Sequence, residues 1–480
     1  MTEDQLFHKS ELNRIKSSIT KSYYEAACSS TTVGVGETLL GAFAVALNFS
    51  AAQLGVLLSL PNLIGSLFQT IIPEVIEKLK QRKIIFVVFS ALASAAWILI
   101  LLTPFIFKTD PFVPLIIFVS FYYINNNFII SSYTSTISSW IPEKLRGNVL
   151  GRRQRILTFA LLISTLTGAF LLKYFKQDYI FYGFALVFFI AATAKFISYL
   201  ILKTVYEPKM YERKFQSFSF PDFVKKMLFN NFGRFTLYIF FVYFAIYLSA
   251  PYFVLYMIRD LGFTYFQYIF LIAIAATTNF LTTRAWGRFA DKHGNMQVLK
   301  ITGLLISLTS FVWLFSPNFY YLIFAQVFSG LIWSGFNLSS INFIYDSTTP
   351  ERRARCVSYY NIFWNLGIFT GAVTGSFLLK FFPNFIWFGS ALPVLFFISS
   401  ILRFLVTFIF AYILKEIRRV RPADKVQVII GITGLRVIQS TFLGTAGVLK
   451  YGTSKILDYE IYLDKITEFV KSHIPFKKHK

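Results

Sequence analysis

The chain has 480 residues, of which 55% are hydrophobic, 19% aromatic and only 15% charged, and its mean hydropathy is +0.58. That balance excludes an ordinary soluble domain and indicates a polytopic membrane protein. With 47 Lys and Arg against 23 Asp and Glu the formal net charge is +24, so nucleic-acid binding has to be tested by asking where the charge lies.

The N-terminus, "MTEDQLFHKSELNRIKSS", has no apolar run followed by a small-residue cleavage site, so no cleaved leader is expected and the first span should direct insertion. Apolar runs long enough to cross a bilayer, about 20 residues each, follow at 23–47, 53–74, 84–107, 112–137, 156–176, 179–203, 235–257, 264–286, 298–316, 319–343, 357–381 and 385–412. The expected organisation is an N-terminal segment 1–22, a six-helix bundle 23–203, a polar linker 204–234, a second six-helix bundle 235–412 and a tail 413–480. In the tail, 426–449 is moderately apolar but interrupted by Gln427, Arg436 and Gln439, while 461–470 has the spacing of an amphipathic helix lying on a surface. The fold class expected is all-α: twelve transmembrane helices in two repeats with an amphipathic cytoplasmic tail.

If the spans alternate from an inside N-terminus, the outward loops hold only Lys108, Lys173, Lys176, Arg259 and Lys380 among the basic residues. Nearly all other Lys and Arg lie on the opposite side. This positive-inside bias places both termini in the cytoplasm, with the plasma membrane the expected location. It accounts for the charge without nucleic acid, and the basic inner face should favour anionic lipid headgroups. The two cysteines, Cys28 and Cys356, are far apart in this topology, so no disulfide is expected.

The two halves are related. "TGAFLLKYF" at Thr167–Phe175 recurs as "TGSFLLKFF" at Thr374–Phe382, an offset of 207. Upstream, "IPEKLRG" from Ile141 meets "TPERRAR" from Thr349 at 208, and downstream "IFYGFAL" from Ile180 meets "IWFGSAL" from Ile386 at 206. Further towards the N-terminus "FSAAQ" from Phe49 meets "FTYFQ" from Phe263 at 214. Matches in order with slowly drifting offsets indicate a tandem duplication.

The most specific motif is "GRFADKHGN" at Gly287–Asn295, between the eighth and ninth spans. A small residue there admits a neighbouring helix end, an acid can cap a helix, and a base can pair across the loop. The motif resembles the signature of the major facilitator superfamily, carried here by Gly287, Arg288, Asp291, Lys292 and Gly294. The first-half counterpart "PEVIEKLKQRK" keeps Glu77 and Lys78 but has Pro73 in place of the glycine. Arg146 and Gly147 in "PEKLRGNVLGRR", and Arg352 and Arg355 in "PERRAR", fit the same resemblance. It implies two bundles rocking about a central site, with these inner segments latching the halves together and spans one, four, seven and ten lining the cavity.

Within the membrane an ionisable residue is a functional candidate by default. Glu37 is the acid nearest the middle of the first span, on one helical side with Ser30, Gly34, Gly41 and Asn48. There it can exchange a proton with either side. Glu25, nearer the inner end, is expected to be exposed at the entrance, and Lys195 and Arg403, repeat mates at 208, are expected to snorkel to the inner interface. Polar and aromatic groups at mid-depth include Asn62 and Gln69 with Ser59 and Ser66, Asn126 between Asn125 and Asn127, Tyr243 and Tyr247, Asn279, Trp333 and Asn337, and Asn361 and Asn365 beside Trp364. Amides beside aromatic faces suit a polar organic solute or an amphiphilic cation. With no basic residue read at mid-depth, a strongly anionic solute is disfavoured.

The histidines, His8, His293, His473 and His479, lie in tails or loops, so no metal cluster or catalytic set is visible. No nucleotide-binding GxxxxGK[ST] loop occurs either. The expectation is a monomeric, non-enzymatic secondary transporter without cofactor or metal. It carries a small neutral or cationic organic solute by alternating access, coupled to protons through Glu37. An uncoupled facilitator and a transporter-like receptor are the other readings.

Overall fold

The computed structural model describes residues 3–141, 143–175, 177–208, 219–349, 352–382 and 387–417. The tail features at 426–449 and 461–470 and the middle of the linker, 209–218, lie outside the described residues. The first half contains α1 (Glu3–Val35), α2 (Leu40–Ala46), α3 (Ala51–Gln69), α4 (Ile72–Leu79), α5 (Arg82–Ile106), α6 (Phe112–Trp140), α7 (Glu143–Lys173) and α8 (Ile180–Lys203). The short α9 (Phe220–Lys226) leads into α10 (Asn231–Tyr247), α11 (Tyr252–Leu255), α12 (Tyr265–His293), α13 (Asn295–Phe311), α14 (Phe319–Ser347), α15 (Arg353–Leu378) and α16 (Leu392–Ile413). Among the described residues eleven segments are long and apolar enough to cross a membrane. The first span makes the twelfth: it is α1 continued by α2, and its polar composition and internal break set it apart.

Packing repeats as the sequence does. In the first half α1 packs on α7 and α8, α3 on α6, and α5 on α6 and α8; in the second, α10 packs on α15 and α16, α12 on α14, and α13 on α14 and α16. The halves meet through α3 with α15 and α7 with α12, two contacts that the internal symmetry exchanges. Apolar surface is no driving force between helices in lipid, so close packing must supply the cohesion. The first half provides it with Phe43, Trp97, Tyr122, Phe184 and Phe188, the second with Phe235, Tyr238, Phe336 and Phe343, all buried.

The helix ends explain one of the repeats. The "FSAAQ" and "FTYFQ" pair are capping boxes: Ser50 accepts from the Gln53 amide while Gln53 Oε1 accepts from Ser50 N at 3.0 Å, and Thr264 with Gln267 repeats both bonds. Each starts the second helix of its half by satisfying otherwise unpaired N–H groups. At the other end of the molecule, Glu207 after α8 accepts from the amides of Arg82 and Lys83 at 2.6 and 3.2 Å, capping α5. Glu416 after α16 accepts from Met296 N at 2.8 Å, doing the same for α13.

Among the described residues, two spans are broken. At Gly36 the first leaves helical geometry (φ −101°, ψ −82°), and only glycine fits this conformation, since a Cβ there would lie 2.5 Å from both the Trp97 ring and Thr32 O. The seventh breaks between Tyr247 and Pro251, where proline has no N–H to continue the ladder. The pieces beyond the breaks, α2 and α11, pack against each other across the two halves.

The stretch "GRFADKHGN", expected as a loop, is mostly helix. α12 continues to His293, since Ala285, Trp286 and Ala290 stay buried on one face against Val298 and Ile301 of α13. Gly294 ends it with φ +93°, a value that suits glycine.

Candidate functional site

The break at Gly36 aims Glu37 away from the helical face on which periodicity places it. Gly34 packs on α7, where a Cβ would strike Ser164 and Leu161, while Glu37 turns towards α6. Its carboxylate accepts hydrogen bonds from Tyr122 at 2.7 Å and Tyr123 at 3.2 Å. Asn62 of α3 lies against the Tyr123 hydroxyl, and Tyr247 of the second half is within electrostatic reach of it. Glu37 and Tyr123 are half-buried, as are Tyr243, Tyr247, Trp333 and Trp364 of the second half. In that second-half cluster the Tyr243 ring lies 5.5 Å from Trp364, 6.2 Å from Trp333 and 6.4 Å from Tyr247. One half thus offers a carboxylate in a tyrosine clasp, the other an aromatic wall.

Other polar candidates mark contacts between helices. Gln69 accepts from Asn361 Nδ2 at 2.9 Å across the two halves and donates to Ser131 at 3.3 Å. Asn365 instead donates within α15, to the Asn361 carbonyl at 2.9 Å. Asn279 is half-buried on α12, where that helix crosses α14 so closely that a Cβ on Gly330 would meet Ala275 O at 2.4 Å. Asn337 on α14 is exposed.

The inner-end candidates divide. Arg288, Asp291 and Lys292 are exposed on the last turns of α12, and Glu77 and Lys78 are exposed on α4. Gly287 is not held by a tight approach in this conformation, since a Cβ would meet only Leu338, at an ordinary 3.5 Å. Arg352 is the N-cap position of α15, and Arg355 lines a groove with Glu74, Phe220 and Tyr359. Arg146 and Gly147 lie on α7, with side chains outside the described residues.

Three expectations about charge are corrected. Glu25 is not exposed at an entrance but 2% accessible, bound by Arg153 Nη2 at 2.8 Å. Lys195 and Arg403 do not snorkel; they are 1% and 2% accessible and point into their own halves. Lys195 donates to Asn126 Oδ1 at 3.0 Å. Arg403 has no carboxylate partner among its described contacts: it donates to Ile246 O, Ser249 Oγ, Ile306 O and Thr309 Oγ1 at 2.8 to 3.3 Å. Those acceptors lie at and near the C-terminal ends of α10 and α13, where unpaired carbonyls and the helix dipole both favour a cation. Hydropathy alone places both bases near an interface; it carries no sign of the neighbouring carbonyls and carboxylates that let them turn inwards.

The sequence description of the Major Facilitator Superfamily matches residues 26–236 and, a second time, 235–448. The chain belongs to this superfamily. Among curated relatives it is 29% identical over 135 residues to the "Uncharacterized MFS-type transporter YuxJ" of Bacillus subtilis, covering 26% of this chain and 34% of that protein. It is 27% identical over 111 residues to the "Multi-drug resistance efflux pump PmrA" of Streptococcus pneumoniae, covering 23% of this chain and 28% of that protein. These matches therefore span about a third or less of each relative. Similar solved superfamily structures include a D-xylose-proton symporter, with a TM-score of 0.64 at 13% identity over 84% of this chain and 98% of that one. The nucleoside transporter NupG has a TM-score of 0.60 at 13% identity over 84% and 99%. At such identities the likeness speaks for the fold.

Proposed function

We propose that the chain is a proton-coupled secondary transporter of a small neutral or cationic organic solute, working by alternating access between its two bundles. The observation that carries this reading is Glu37, a half-buried carboxylate at a break in the first span, clasped by Tyr122 and by Tyr123, which Tyr247 of the other half approaches. A cation would find its counter-charge at Glu37 and ring faces at Tyr243, Trp333 and Trp364. A neutral solute would exchange hydrogen bonds with Asn62, Tyr123 and Tyr247. Lys195 does not reverse this preference, because it is buried on Asn126 and not presented to the space between the halves. Protonation would neutralise Glu37 and lower the cost of reorienting it, linking proton and solute through one conformational equilibrium.

The reading includes a plasma-membrane location, both termini in the cytoplasm, and Arg288, Asp291 and Lys292 as parts of an inner latch. Its test starts from a thermal-shift screen of purified protein against sugars, nucleosides, amino acids and organic cations, since a ligand of the folded state raises its apparent stability. The stabilising compound should then show counterflow in proteoliposomes. Binding without flux supports a receptor instead, and flux indifferent to a pH gradient supports the uncoupled facilitator.

A further inference from the structure

The first half buries more charge than a single proton-carrying acid needs. Glu25 and Lys195 are 2% and 1% accessible, and Lys195 is within electrostatic reach of both Glu25 and Glu37. Its ammonium has three donors, yet its one described hydrogen bond runs to Asn126, not to either carboxylate. Glu25 is held from two sides, by Arg153 Nη2 at 2.8 Å and by Ser198 Oγ at 3.4 Å. Ser198 lies one turn from Lys195 on the same face of α8. In the second half the repeat mate Arg403 is surrounded by neutral oxygens alone among its described contacts. Among those contacts, duplication supplied a buried cation twice, and only the first copy acquired acids.

Around Glu37 are Tyr122 and Tyr123 from α6, Lys195 from α8, and Tyr247 of the other half behind Tyr123. Around Glu25 are Cys28 on its own helix, Tyr133 from α6, Arg153 from α7, and Lys195 and Ser198 from α8. Arg153 is the outlying member. Its side chain is 20% accessible, and it rides on α7, the helix that packs on α1 in its own half and on α12 in the other. Arg153 is thus the charge of the set carried on the first-half helix that packs on α12.

We propose, building on the reading of Glu37 as the proton carrier, that Lys195 is a counter-ion shared between Glu37 and Glu25, and that Arg153 decides which of them has it. While Arg153 holds Glu25, the field of Lys195 acts on Glu37 and favours its ionised form. When Arg153 withdraws, Glu25 becomes an uncompensated buried carboxylate and draws Lys195 to itself. Glu37 then loses its counter-charge and binds a proton from cavity water on a carboxylate oxygen. Lys195, Glu25 and Arg153 are positioning residues: they touch no solute and act through Glu37.

The test is a pH titration of the full-length protein in nanodiscs by infrared difference spectroscopy. The Glu37 carboxyl band is identified as the one that Glu37→Gln removes. Lys195→Gln should move its midpoint towards alkaline pH by about one unit or more. Arg153→Gln should move it in the same direction, and Glu25→Gln towards acid pH. If Arg153→Gln does not fold, Arg153→Lys, which keeps the charge but loses the fork, should give a smaller shift of the same sense. On the Lys195→Gln background neither change should move the midpoint further. A band that titrates but ignores Glu25 and Arg153, or responds to them equally without Lys195, overturns the relay alone. The absence of any titrating Glu37 band overturns the underlying reading and the relay with it.

Discussion

Arg403 tests how a membrane interior keeps a guanidinium that has no carboxylate among its described contacts. Its fork reaches carbonyls and hydroxyls on α10 and α13 together, so Arg403→Lys retains the charge but cannot span both sets. The expected loss is on the order of 2 kcal/mol, read as a lower unfolding temperature of purified protein, and Arg403→Met should cost at least as much. Gly36→Ala should also destabilise, by about 1 to 3 kcal/mol, because the added methyl would collide with Trp97. Glu37 is legible in the sequence as a deep acid, but the residues that clasp it are not. Tyr122 and Tyr123 read as ordinary aromatics in an apolar span, and only the break at Gly36, which ends the helical extrapolation, turns Glu37 onto them. Glu25, Lys195 and Arg403 escape the sequence for a related reason: hydropathy measures distance from an interface, whereas their partners decide where they point.

At the scale of elements, helix ends carry information that hydropathy does not. The Ser50 and Thr264 boxes open equivalent helices in the two halves, so Ser50→Ala and Thr264→Ala should each cost about 1 kcal/mol. Being far apart, their effects should add in the double variant, as measured by chemical unfolding. Glu207→Gln and Glu416→Gln weaken the corresponding caps at the other end, on α5 and α13, each by about 0.3 to 1 kcal/mol through lost charge at a helix N-terminus. The capping boxes are visible in the sequence as a repeat at offset 214, without a reason. The glutamate caps are not visible there, because each joins residues more than a hundred positions apart. The "GRFADKHGN" motif identifies the superfamily but does not read as helix, since its charged residues conceal the buried face of Ala285, Trp286 and Ala290.

At the scale of the molecule, duplication is the decisive sequence signal. Repeats at offsets of 206 to 214 anticipate twelve spans in two halves, and the pairing of helices within each half follows that symmetry. What the repeats do not convey is where symmetry fails, and function is proposed to reside there: acids beside the buried cation of the first half, a cluster of aromatic rings in the second. The broken ends α2 and α11 touch at Gly41 and Val254, where a Cβ on Gly41 would lie 3.3 Å from Val254 Cγ1. A Gly41→Cys, Val254→Cys pair, once oxidised, should abolish counterflow while leaving ligand binding in detergent intact, and reduction should restore flux. The most direct test of proton coupling through Glu37 follows protons and solute together, in proteoliposomes containing a trapped pH indicator and the ligand found by thermal shift. Adding ligand should move protons across the membrane with the wild-type protein, and Glu37→Gln should abolish this proton movement. Ligand-driven proton movement undiminished in Glu37→Gln would contradict this coupling.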